Sequence, residues 1–293
     1  MGMIFALVNN KGGVGKTTTT SVMTELLAEF GKKVLLVDND GQGNLSMLYG
    51  CKDVDSRKVI QGLENAEKPN IHEVYKYSLR TKEDIKRVIR KTPVENIDII
   101  PASKRHKETT KLIQMMKLNS VGNPSIILKK AIEAVKDDYD YIFIDNGPAI
   151  DDLTVNTIFA SDYMLVPVRS EIFSYEGLIE ILDEVNYIKE EHFIENCEFL
   201  GTFMTQVKAR TNIFKDLSEN YKDELAEKFL QTPIRDDIKI SKMETELTTL
   251  LKLSPNSNAL FDYAKLILEI NTKINFIDSE TEKILKSITM EEE

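Results

Sequence analysis

Lys11-Gly12-Gly13-Val14-Gly15-Lys16-Thr17-Thr18 lies between an apolar run, Met3 to Val8, and an amphipathic helical pattern from Lys16 to Phe30. Glycines in this stretch allow backbone conformations that turn successive N–H groups inward onto an anion. A helix opening at Lys16 adds the positive end of its dipole. Lys16 would then reach the β- and γ-phosphates of a nucleotide, and the Thr17 hydroxyl would ligate a magnesium ion. The alternative is plain turn chemistry between a strand and a helix with no ligand.

Two further apolar runs end in an acid. Lys33-Val34-Leu35-Leu36-Val37-Asp38 continues into Asn39-Asp40-Gly41-Gln42-Gly43-Asn44, and the second run is Asp140-Tyr141-Ile142-Phe143-Ile144-Asp145. A buried parallel strand reads as a continuous apolar run, and a carboxylate at its exit sits where a ligand edge would be. Asp38, Asp40 and Asp145 are thus placed for magnesium and water chemistry. Taken alone, Asp145 reads equally well as a helix cap.

The lysine that opens the loop narrows the reading. KGGVGKTT resembles the deviant Walker A loop of the ParA/MinD group of ATPases. Asp38 to Asn44 resembles that family's DxDPQGN, with Gly41 in place of proline, and Asp145-Asn146-Gly147-Pro148 resembles its DxPP, with Gly147 in place of the first proline. Ile97 to Ala102 is similar to the family's hDhIPA strand. Val166 to Leu178 is similar to the VPV…ExFxxxGL stretch of the ParA branch, and Ala209-Arg210-Thr211-Asn212 to its hRTN turn. The likeness covers roughly residues 1 to 270.

The resemblance implies a P-loop ATPase of the ParA partition type, using ATP and Mg²⁺ and turning over slowly without its partner. Residues Lys11 to Thr18 would bind the nucleotide, with Lys11 crossing a dimer interface to the partner's phosphates. Thr17, Asp38 and Asp145 would serve the metal, and Asp40 would position or activate water. The implied partners are a second copy of the chain on ATP binding, non-specific DNA, and a ParB-type centromere-binding protein, in a cytoplasmic protein that joins the nucleoid when ATP-bound. Arg210 and Lys239 carry over as DNA-contact candidates, and Arg210 reads equally well as a solvated loop arginine. The arginine expected three residues before Lys239 is Asp236 unless a one-residue shift brings in Arg235. The competing readings are a MinD-like positioning regulator acting through protein or membrane partners, and a scaffold in which ATP only locks a dimer. A reductase-like iron–sulfur relative needs cysteines between the Asp38 and Asp145 strands, where only Cys51 lies.

Composition sets outer limits. The 293 residues carry a net charge of −10, which argues against a coat for nucleic acid. Yet Lys76 to Lys130 holds fourteen Lys/Arg and five Asp/Glu, a +9 segment that leaves −19 elsewhere. That asymmetry can make a basic face, or merely solvated helices. Cys51 and Cys197 form no CxxC, and His72, His106 and His192 are isolated, so neither a disulfide framework nor a zinc site is indicated, and a reducing cytosol fits. No apolar run approaches a membrane span.

The elements that must position these residues follow the same alternation. Strands are expected at the runs above and at Ile97 to Ala102, Tyr163 to Val168 and Phe199 to Thr205. Helices are expected around Ile85, Val88 and Ile89, ending near Thr92-Pro93, from Lys104 to Lys117, and from Asn123-Pro124 to about Asp137. The fold class is α/β: a single doubly wound, mainly parallel sheet of about seven or eight strands with helices on both faces. Residues 1–270 form the ATPase domain. Residues 271–293 form an acidic C-terminal helical extension, ending in Glu291-Glu292-Glu293, that packs on the domain or on a partner.

Overall fold

The computed structural model describes residues 2–51, 68–76, 81–120, 122–171, 174–208 and 211–290. Among them, β1 (Met3–Leu7), β2 (Val34–Asn39), β3 (Arg90–Lys91), β4 (Ile97–Ile100), β5 (Tyr141–Asn146), β6 (Tyr163–Arg169) and β7 (Glu198–Thr205) form one seven-stranded sheet. Its order is β3-β4-β2-β5-β1-β6-β7, and every pairing is parallel except that of β3 with β4.

Helices cover both faces because the central strands are apolar on both sides. Phe5, Leu7, Val34, Leu36, Tyr141 and Phe143 face one core, with the helices Lys16–Glu29 and Asn258–Ile274 against them. The alternate residues point the other way, into two further clusters: Ile4, Leu35, Val37, Ile142 and Ile144 in one, Ala6 and Val8 in the other. Such period-two partition fixes register, since a one-residue slip would exchange the two faces.

The expected helix from Lys104 is observed as His106–Leu118. That from Asn123 is interrupted: the Asn123 side chain accepts from Ser125 N and caps a 3₁₀ turn, Pro124–Ile126, before the α-helix Ile127–Glu133 and a second 3₁₀ turn, Lys136–Asp138. Strand β3 went unread because two charged residues at a sheet edge carry no hydrophobic period. The Ile85 and Val88 pattern is the helix Lys82–Val88, capped by a reciprocal Thr81–Asp84 pair; it stops short of the expected end near Thr92-Pro93 because Ile89 turns extended and Arg90 and Lys91 pair with β4 instead.

The line drawn at 270/271 falls inside the helix Asn258–Ile274. Beyond it, Phe276, Ile277 and Leu285 are buried in the same core as Phe5, and Tyr141 Oη donates to Phe276 O at 2.6 Å. The last described helix, Ser279–Met290, therefore packs on the sheet-covering layer. Glu291 to Glu293 lie outside the described residues.

Candidate nucleotide site

Parallel strands all present their carboxyl ends at one edge, and β1, β2 and β5 bring the candidate residues there together. The loop after β1 turns with Gly13 at φ +72° and Gly15 at φ +87°, conformations that side chains resist, and Lys16 starts the helix. Lys16 is buried, and its Nζ donates to Asn9 O at 2.9 Å and Lys11 O at 3.0 Å, so the ammonium lies under the arch of the loop. Burial lowers its pKa, opposed by the charges of Asp145 and Asp40.

The register of β2 with β5 sets Asp38 beside Asp145 and Asn39 beside Asn146 on successive rungs. Both aspartates are fully buried. Asp38 Oδ2 accepts from Ser46 N at 2.7 Å and Ser46 Oγ at 2.6 Å, and burial raises its pKa to about 7. Asp145 Oδ2 accepts from Thr17 Oγ1 at 2.7 Å, whereas its Oδ1 is buried with no hydrogen-bond partner. Burial, then the nearby Asp38 charge, push the Asp145 carboxyl well above the carboxylate range. A buried acid with one orphan oxygen, next to a hydroxyl and a second acid, is a donor set that fits a hard divalent cation. The asparagines fix the strand ends: Asn146 Nδ2 donates to Leu7 O, Asn39 Nδ2 to Leu153 O, and Tyr75 Oη to Asn39 Oδ1.

Asp40 is partly exposed, and its Oδ1 accepts from Gln42 N at 3.0 Å. The glycines that stand where the family has proline have a packing reason. A methyl on Gly41 would come within 2.5 Å of His106 Cβ, and one on Gly147 within 3.2 Å of Asp40 Oδ1. His106 in turn pairs with Asp151 at 3.4 Å, and that hydrogen bond raises its pKa. His72 bonds Thr109 and His192 packs edge-on against Phe159. Among the described residues, no group of His, Cys, Asp and Glu is arranged as a metal cluster of three or more.

A cavity of about 570 Å³ opens over the loop, lined by Gly12 to Thr18, Asp40 and Gln42 on one side and Arg169, Gln206, Ile240, Glu244 and Leu247 on the other. That size suits a nucleotide. Lys11 is exposed at its rim, its ammonium lying over Gly177, where an added methyl would be 2.9 Å from Nζ. Thr18 Oγ1 donates to Glu244 Oε1 at 3.0 Å.

Several residues here were not singled out in the sequence. Ser46, Thr205, Gln206 and Glu244 belong to no motif, and Arg169 falls in the unspecified gap of the Val166 to Leu178 stretch. Thr205 Oγ1 donates to Val14 O at 2.9 Å and Gln206 Nε2 to Gly13 O at 2.7 Å, tying the end of β7 to the loop. For Arg169, Thr205 and Gln206 the signal available was their position at strand ends on the ligand edge, whereas Ser46 and Glu244 sit on helices and had none.

The DNA-contact candidates fare differently. Lys239 is exposed in the first turn of the helix Ile238–Glu246, beside the exposed Ile238, whereas Arg210 lies outside the described residues. Arg235, the shifted alternative, has a structural post: Nε and Nη2 grip the buried Asp262 carboxylate at 2.7–3.0 Å. In the basic segment, Lys82 and Lys86 pair with Asp138, Lys91 with Asp98 and Lys117 with Asp152, which offsets only part of the expected face, since Asp98 already belongs to the segment's own balance.

A family model described as an AAA domain matches residues 2–198. The chain is 32% identical over 274 residues to the sporulation initiation inhibitor protein Soj of Bacillus subtilis, covering 92% of this chain and 98% of that one. It is 31% identical over 270 residues to the chromosome-partitioning ATPase Soj of Treponema pallidum, covering 92% and 97%. A plasmid partition protein of Borrelia burgdorferi, solved with AMPPNP, shares the fold at TM-score 0.72 and 23% identity, covering 94% of this chain and 100% of that one.

Proposed function

The chain belongs to the ParA/Soj family of ATPases, which act in positioning and segregation, and from that membership we propose a DNA-partition cycle for it. ATP binding makes a sandwich dimer. The dimer holds DNA without sequence preference, and a centromere-binding protein stimulates hydrolysis and release.

The observation that carries the reading is the rung pairing Asp38 with Asp145 beside Thr17 and Lys16, under a glycine loop, Gly12 to Gly15, that lines the cavity. In this reading the loop amides and Lys16 bind the phosphates, and Thr17, Asp38 and Asp145 hold Mg²⁺. Bound there, the ion would neutralise charge on the β- and γ-phosphate oxygens. Asp40, the most accessible of the three acids, orients the attacking water and takes its proton. Lys11, at the exposed rim, reaches the partner's nucleotide. For DNA, the support is the exposed Lys239 and the family position of Arg210. A membrane-cycling alternative would require a basic amphipathic helix with an open apolar face, but the helix Ser279–Met290 buries Leu285 in the core.

The test pairs two variants. Asp40→Ala should bind ATP, accumulate as a dimer in light scattering and release no phosphate, while Lys11→Ala should bind ATP as a monomer. Normal turnover in Asp40→Ala, or normal ATP-dependent dimerisation in Lys11→Ala, would overturn those assignments. Lys16→Ala, binding no ATP, is the control for the phosphate loop.

A further inference from the structure

Lys16 of the phosphate loop supplies charge to the cavity, and the fold brings an arginine to it as well. Arg169 is the last residue of β6 and lines the cavity together with Gly12 to Thr18. Its guanidinium is held from two sides. Nε donates to Gln206 Oε1 at 2.9 Å, Nη2 donates to the same oxygen, and Nη1 lies 3.2 Å from Glu171 Oε1. The orientation of the Gln206 amide follows from its other end, where Nε2 donates to Gly13 O at 2.7 Å. Gln206 sits at φ +53°, a left-handed conformation that is strained for a non-glycine residue and recurs where a site over-determines the backbone.

Contrast with Arg235 separates a structural arginine from this one. Arg235 is closed off by a carboxylate that is itself only 7% exposed, through a bidentate grip. The carboxylate partner of Arg169 is 61% exposed, and the Arg169 side chain remains 42% exposed on the cavity. A planar guanidinium held along its Nε edge keeps N–H donors on both Nη atoms for a phosphate, in the fork geometry that suits one.

Sheet order says which part of the ligand it meets. Asp38 and Asp145 lie on β2 and β5, to one side of β1, and Arg169 and Gln206 lie at the ends of β6 and β7, to the other. A nucleotide with its terminal phosphates near the acids runs across the loop toward β6 and β7. We infer that Arg169 is a nucleotide-binding residue at the α-phosphate and sugar end of the cavity, and that Gln206 is the positioning residue that aims it. This rests on the nucleotide reading proposed above. Contact at that end is made equally in ADP, ATP and the transition state, so it contributes to binding and not to the chemical step.

The experiment measures ADP and ATP affinity by calorimetry, and KM and kcat by phosphate release, on the full chain. Arg169→Ala should weaken both nucleotides about tenfold and raise KM with kcat unchanged. Arg169→Lys should recover part of the loss, and Gln206→Leu should reproduce part of it at an unchanged melting temperature. Affinities within twofold of wild type in Arg169→Ala would overturn the inference, as would a loss confined to ATP-dependent dimerisation with nucleotide affinity intact. Wild-type protein that binds neither nucleotide would overturn the proposed function itself, whereas tight binding by wild type and Arg169→Ala alike removes this inference alone.

Discussion

Glu25 lies on the inner face of the helix that follows the phosphate loop, 2% exposed, with Oε1 accepting from Ser21 Oγ at 2.8 Å and Oε2 from Leu251 N at 3.1 Å. Burial raises its pKa from 4.5 to about 7, against the lowering effect of these hydrogen bonds. The folded-state value is the higher one, so the folded chain holds this proton more tightly than the unfolded chain. Stability from this group is therefore fully present below pH 4.5 and declines as pH rises to about 7. The decline is on the order of 3 kcal/mol. Glu25→Gln keeps the shape and an acceptor, and its amide can face Ser21 Oγ, which accepts. It should match wild type in urea unfolding at pH 4.5 and exceed it by about 2–3 kcal/mol at pH 8. A pH slope identical to that of wild type would place the dependence elsewhere.

At the scale of elements, the segment after β7 and the segment at 234–236 form a strap along one side of the cavity. Val207 N donates to Ile234 O and Asp236 N to Val207 O, both at 3.0 Å, and Arg235 pins the strap to the helix Asn258–Ile274 through Asp262. Arg235→Ala would take the guanidinium away from the buried Asp262 carboxylate, a loss of about 3 kcal/mol. It should lower the urea midpoint without abolishing ATP binding; a shift below 0.5 kcal/mol would show that Asp262 finds water instead. This strap marks where reading the sequence stops. Short apolar runs ending in Asp38 and Asp145, and the glycines around Lys16, were legible because strand burial and anion binding each impose residue types at short range. The bonds from Gln206 to Gly13 and from Arg235 to Asp262 join positions 193 and 27 residues apart, and no local period encodes them. The edge strand β3 escaped for a related reason, since its two residues carry no pattern of their own.

For the whole molecule, a net charge of −10 means that a lone chain is repelled by a phosphate backbone, and the pairing of Lys82, Lys86, Lys91 and Lys117 with acids weakens the basic segment further. Doubling one face in a dimer doubles its few cationic contacts. DNA binding should therefore require ATP, ignore base sequence, and fall with salt at a slope of about −0.9 per phosphate neutralised. Lys239→Glu and Arg210→Glu should each weaken all sequences alike while dimerisation persists. Equal retention of DNA by nucleotide-free and ATP-bound protein in a gel shift would replace this picture with a purely protein-directed switch. The rung that sets Asp38 against Asp145 also bears on evolvability. Two carboxyl groups held side by side out of water, where burial and each other's charge resist ionisation, are a frustrated contact, kept for activity against the interest of the fold. Asp145→Asn relieves it while keeping an acceptor for Thr17. The variant should lose hydrolysis yet melt several degrees above wild type without nucleotide, and an equal or lower melting temperature would show the contact to be unfrustrated. On that account, selection for thermostability alone would erode this site first.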